Sequence, residues 1–245
     1  MYILNIETAT KNCSVALAKD GQTIKCMEIA EQGYSHAEKL HVFIGEIMEA
    51  SHIKLTDLSA IAVSQGPGSY TGLRIGVSAA KGLCYALDIP LIAVDTLQVL
   101  AAQVKEKDGL VIPMIDARRM EVFSAVFDAN QQKIREIKAE IIEENSFSEI
   151  TTKAYLIGDG AAKCKAVLNA DHFVYNDAIV YPSANEMSAL SYAKYKISDT
   201  VDVAYFEPYY LKDFMMTKKT YIVAIKAVSL IRSLSLLKDI LFSFR

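Results

Sequence analysis

Two acidic residues are the first candidates for chemistry. Glu7 and Asp116 each follow a short apolar run, in Ile6-Glu7-Thr8 and Ile115-Asp116-Ala117, and they stand 109 positions apart. Carboxylates at matching strand ends can hold a metal–nucleotide across a cleft or serve as acid and base. Acidic residues after strands also cap turns, and that role stays open for both. A second candidate is Gln65-Gly66-Pro67-Gly68-Ser69-Tyr70-Thr71-Gly72. Backbone N–H groups where such a turn opens a helix attract anions, so Glu7, Thr8, Gly68 and Ser69 are the candidate nucleotide or anion contacts. The turn is no P-loop, because Leu73-Arg74 stands where Gly-Lys-Ser/Thr belongs. Nor does it complete GxGxxG, since Thr71 replaces the third glycine. His36 and His41 are five apart on one predicted helix, where metal pairs want three or four, so no metal site is expected. Lys11, Asn12, Arg118 and Arg119 fall in matching turns and read as ordinary polar turn residues. No serine or cysteine lies in a GxSxG setting.

These residues need elements to hold them. The runs 2–6, 13–18 and 23–29 alternate or stay apolar as strands, with Lys19-Asp20-Gly21 as a hairpin signal. Ser35-His36-Ala37-Glu38 is a capping box, followed by Leu40, Phe43, Ile44 and Ile47 at helical spacing. Residues 61–64 form a buried strand, and two glycines around a proline then end it. A helix runs from Thr71 to Leu87. Interior glycines cost it up to about 1 kcal/mol each, so Gly72 and Gly76, four apart on one face, need a compensating reason. That face is read as a close-approach surface for another helix, in this chain or in a partner. A strand at 91–94 and a helix from Thr96 to about Lys105 complete the first half.

At the polar break Lys105-Glu106-Lys107-Asp108-Gly109 the chain starts again. The pattern strand, acidic turn, strand, turn, strand recurs at the same offset, the third strand falling at 133–142, so two lobes on one plan are expected. The boundaries are 1–105, 106–217 and an accessory tail, 218–245. A strand at 155–157, the turn Gly158-Asp159-Gly160, a short helix and a capping box at Ser183-Ala184-Asn185-Glu186 follow. In residues 220–245, Lys226, Arg232, Lys238 and Arg245 stand against Asp239 alone and interrupt any run long enough to span a bilayer, so no membrane attachment is expected.

Composition narrows the class. The chain has 245 residues, 52% hydrophobic and 22% charged, enough for a large packed core. A net charge of −3 gives no broad footprint for nucleic acid. The four cysteines are scattered without a CxxC pair, and the N-terminus enters a strand without a basic leader. A reduced, cytoplasmic setting without a signal peptide is expected.

The runs Asn5-Ile6-Glu7-Thr8-Ala9-Thr10, Ser35-His36-Ala37-Glu38 and Gly66-Pro67-Gly68-Ser69-Tyr70-Thr71-Gly72-Leu73-Arg74-Ile75-Gly76, with Pro208-Tyr209-Tyr210-Leu211, resemble the TsaB (YeaZ) family. Residues 220–245 have no counterpart in it. The resemblance implies an α/β chain with the actin-like ATPase (ASKHA) fold, two ribonuclease-H-like lobes of mixed sheets flanked by helices. It implies a non-catalytic paralogue of the enzyme TsaD, acting in threonylcarbamoyladenosine biosynthesis on tRNA, pairing with TsaD and helping recruit the ATPase TsaE. TsaD carries a His-x-x-x-His metal pair; the matching places here are about Thr96 and Leu100, so neither catalytic residues nor a metal is expected. The implied partner surface is Leu40, Phe43, Ile44 and Ile47 beside Gly72, Ile75, Gly76 and Ala79. A homodimer is implied without TsaD, tRNA is reached only through the complex, and ATP or ADP belongs at most at the complex interface. The competing reading is an ASKHA-type kinase or ATPase, or the metallopeptidase of older labels, acting alone.

Overall fold

The hairpin, the strand–turn–helix unit and the repeat all form. The computed structural model describes residues 1–30 and 36–211; Ser35, and with it the first capping box, lies outside the described residues, as does the tail. Met1–Lys212 make one compact unit. Its strands are β1 Tyr2–Glu7, β2 Cys13–Lys19, β3 Gln22–Ile29, β4 Leu58–Gly66, β5 Leu91–Asp95, β6 Leu110–Asp116, β7 Glu121–Phe127, β8 Lys133–Ile141, β9 Ala154–Ile157 and β10 Phe173–Tyr175. The helices are α1 His36–Ala50, α2 Tyr70–Leu87, α3 Thr96–Ala101 and α4 Ala184–Lys196.

The two sheets have the orders β3-β2-β1-β4-β5 and β10-β9-β6-β7-β8. In each, the first three strands pair antiparallel and the last two join in parallel. The second sheet thus repeats the first strand for strand, giving two lobes of mixed sheets. Glu7 and Asp116 close the equivalent strands β1 and β6. The hairpin turn works as its residues suggest: Asp20 and Gly21 both take left-handed φ, +49° and +83°.

Alternation along the first sheet divides two cores. Leu4, Ile6, Val15, Leu17, Ile61 and Val63 point to one face and meet Leu40, Phe43, Ile44 and Ile47 of α1 with Val77 and Cys84 of α2. Ile3, Ala16, Ala60 and Ala62 point to the other, where Ala184 and Met187 of α4 cover them. The three alanines leave room for a helix to come close. Although α4 follows the second sheet in the chain, it packs on the first. Polar bonds fix it there: Ser191 Oγ donates to Asn5 Oδ1 at 2.7 Å, and the Ala184 N–H donates to Ser14 Oγ at 2.8 Å. Ser183 caps α4 by accepting from Asn185 N–H, while Glu186 turns to the Asn185 side chain, so only half of the second capping box forms.

Helix α3 is shorter than the sequence suggests, ending at Ala101. Its N-cap is Asp95, whose Oδ1 accepts from the N–H groups of Leu97 and Gln98. Asp95 also pairs at 2.9 Å with Lys133 at the start of β8, tying the edge strands of the two sheets together.

Candidate docking surface and the glycine seam

The glycine turn joins β4 to α2, and Ser69 caps the helix by accepting from Gly72 N–H. Gly66, Gly68, Gly72 and Gly76 have no room for a side chain. A Cβ at Gly68 would lie 2.3 Å from the Ala9 carbonyl oxygen, one at Gly72 would lie 2.1 Å from that of Thr8, and one at Gly76 would meet Thr8 Oγ1 at 2.3 Å. The Thr8 hydroxyl donates to the Gly72 carbonyl at 2.8 Å, and the Ser69 N–H donates to that of Ala9 at 2.7 Å. The stripe of small residues is therefore the seam between α2 and the turn after β1, inside this chain.

This corrects the residue-level reading of the partner surface. Gly72 and Gly76 face Thr8, and Leu40, Phe43, Ile44 and Ile47 are buried in the first core. The buried side of each helix carries the apolar spacing because the sheet beneath it demands that spacing. Ile75 and Ala79 alone among the eight keep partial exposure, and they line an open groove between α1 and α2. Ala37 and His41 form its α1 side, while Thr71, Arg74, Ser78 and Gly82 carry the outward ridge of α2. Positions 71, 74, 78 and 82 recur at helical spacing opposite buried Leu73, Val77, Ala80 and Cys84, a pattern present in the sequence as a mixed, small and polar face.

The acidic pair is not one site. Glu7 is sealed in the first lobe. Its Oε1 accepts from Ala9 N–H at 2.6 Å, and burial pushes the carboxyl up to about 7. Ser64 lies beside it, yet neither its hydroxyl nor Glu7 Oε2 completes a hydrogen bond within the described residues. Asp116 is exposed, pairs with Lys163 and accepts from Arg118 N–H, so it caps its own turn. Thr8 is engaged by Gly72, Ser69 by the helix start, and Gly68 packs on Ala9.

His36 Nε2 donates to the Thr10 carbonyl at 2.7 Å, whereas His41 stands exposed at the groove. Among the described residues, no group of three or more His, Cys, Asp or Glu is placed to hold a metal ion. Thr96 and Leu100, the places to which the family resemblance points for a metal pair, are otherwise engaged: Thr96 Oγ1 accepts from Gly66 N–H at 3.1 Å and Leu100 is buried in the core between the lobes.

The family model described as "TsaD: tRNA N6-adenosine threonylcarbamoyltransferase" matches residues 28–205. The tRNA threonylcarbamoyladenosine biosynthesis protein TsaB of Escherichia coli K12 is 31% identical over 229 residues, covering 89% of this chain and 98% of that one. The protein of the same name from Bacillus subtilis 168 is 38% identical over 127 residues, 52% of this chain and 55% of its own. The solved structure of YeaZ from Pseudomonas aeruginosa superposes with a TM-score of 0.77 at 23% identity, over 86% of this chain and 99% of that one, and shares the fold. The chain is a two-lobed α/β protein of mixed sheets flanked by helices. It belongs to the TsaB (YeaZ) family of tRNA threonylcarbamoyladenosine biosynthesis. No helix among the described residues is long and apolar enough to cross a membrane.

Proposed function

We propose that the chain is a non-catalytic partner subunit of the complex that installs threonylcarbamoyl on a tRNA adenosine, pairing with TsaD and helping recruit TsaE. The observation that carries this reading is the pair Thr96 and Leu100. Where the enzyme has metal histidines, this chain uses one side chain to fasten the glycine turn and the other to fill its core. The surface left to a partner is the outward face of α1 and α2, including Ile75 and Ala79. The same face pairs two copies of the chain when TsaD is absent, one patch used twice in a twofold contact. The lone chain is expected to bind nucleotide weakly or not at all, and ATP or ADP belongs at most at the interface with TsaD. It meets tRNA only within the complex and works in the cytoplasm.

Substitutions on the outward ridge test this directly. Ser78 is exposed, and a Cβ at Gly82 meets nothing within 4 Å, so Ser78→Arg and Gly82→Trp add bulk without disturbing the core. Association with TsaD, followed by sedimentation, is expected to weaken by roughly a hundredfold for the double variant while its melting temperature holds. Unchanged affinity would place the partner elsewhere.

A further inference from the structure

Residues 201–211 form neither helix nor regular strand, yet they run from the start of β5 to the end of β4. At one end the Val201 N–H donates to the Leu91 carbonyl at 2.9 Å in a single bridge to β5. Asp202 Oδ1 then accepts from the N–H groups of Ala204 and Tyr205, closing a local turn. At the other end the Tyr209 N–H donates to the Gln65 carbonyl at 2.7 Å, and Tyr210 stacks on Tyr70 with ring centroids 5.0 Å apart. Leu211 then packs against the buried cluster between the lobes that includes Leu97, Leu100 and Ile157.

Between these anchors Val203 and Phe206 pack against the first core, and one side chain of α2 reaches the segment's backbone. Lys81 Nζ donates to the carbonyls of Ala204 and Phe206, both at 3.0 Å. Irregular backbone must find partners outside itself, and a lysine amine with three donors can serve two carbonyls at once. Tyr70 and Lys81 are eleven residues apart, about 20° in helical projection, so both lie along one edge of α2. The groove residues Ile75 and Ala79 lie along the opposite edge. The exposed ridge of α2 is thus bounded by α1 on one flank and by residues 201–211 on the other.

We propose that residues 201–211 are a latched strap, with Lys81 as its latch. Latched, it narrows the exposed ridge of α2 and links that helix to the junction of the lobes. Released at Lys81, its middle loosens while the anchors at Val201 and Tyr209 hold, and the flank of α2 opens. The inference does not depend on what docks on α2, and its test needs no partner.

The test is amide hydrogen exchange on the full chain carrying Lys81→Met, which keeps the aliphatic stem and removes the donors. The amides of Ala204, Tyr205 and Phe206 are each hydrogen-bonded to Asp202, so they report the strap's closure. Their exchange is expected to quicken roughly tenfold or more, with β1 and β4 unchanged. Unaltered exchange at these three amides, or loosening that reaches β1 and β4 equally, would overturn the proposal.

Discussion

Replacing Gly72 by alanine is expected to destabilise the fold by about 3 kcal/mol or more. The new methyl group would sit 2.1 Å from the Thr8 carbonyl oxygen, a backbone atom that cannot swing aside. Moving the turn would also strain the bonds from Thr8 Oγ1 to the Gly72 carbonyl and from Ser69 N–H to the Ala9 carbonyl. Urea unfolding should show a lower midpoint with an unchanged slope. Gly82→Ala is the control: its Cβ meets open space, and it should raise stability by about 0.5–1 kcal/mol, as glycine does when replaced inside a helix. A Gly72→Ala midpoint within error of the parent would mean the seam is looser than its distances indicate. The same reasoning changes what bulk at Gly76 would do. It would meet Thr8 and Val63, so any loss of pairing would come through the fold and not through a contact surface.

Glu7→Gln is expected to stabilise the protein at pH 8 by about 3 kcal/mol and to leave it nearly unchanged at pH 5. Burial raises the carboxyl from 4.5 to about 7. Between those values the folded chain holds a proton that the unfolded chain has released. The contribution of Glu7 to stability therefore falls as pH rises through this window, and above about 7 the full cost of an ionised buried carboxylate remains. Glutamine keeps an oxygen for Ala9 N–H and carries no charge. Denaturation of parent and variant across pH 5–8 should give a difference that grows with pH. A constant difference would show that Glu7 is ionised throughout.

The parts legible in the sequence are those governed by local chemistry. Asp20-Gly21 specifies its turn through left-handed φ, the Gly66-Pro67-Gly68 run ends β4, and the recurrence of Ile-acid at 6–7 and 115–116 marks the equivalent strands of two matching sheets. What a stripe of small residues faces is not local. Gly72 and Gly76 demand a close neighbour, but a partner's helix and this chain's own Thr8 satisfy that demand equally. The aliphatic residues of α1 posed the same choice, and the sheet beneath took them. Helix α4 hid its destination because its buried stripe includes Ser188 and Ser191, which look solvent-facing until Asn5 and Thr23 meet them from the first sheet. Strand β10 has three residues and no readable period. The strap was invisible because its partners are backbone carbonyls, which every residue offers alike.

Reconstitution with threonylcarbamoyl-adenylate and tRNA tests the proposed role most directly. The purified chain alone should leave the tRNA unmodified, whereas a mixture with TsaD and TsaE should form threonylcarbamoyladenosine only when the chain is added. Product made by the lone chain would contradict the assignment of a non-catalytic partner.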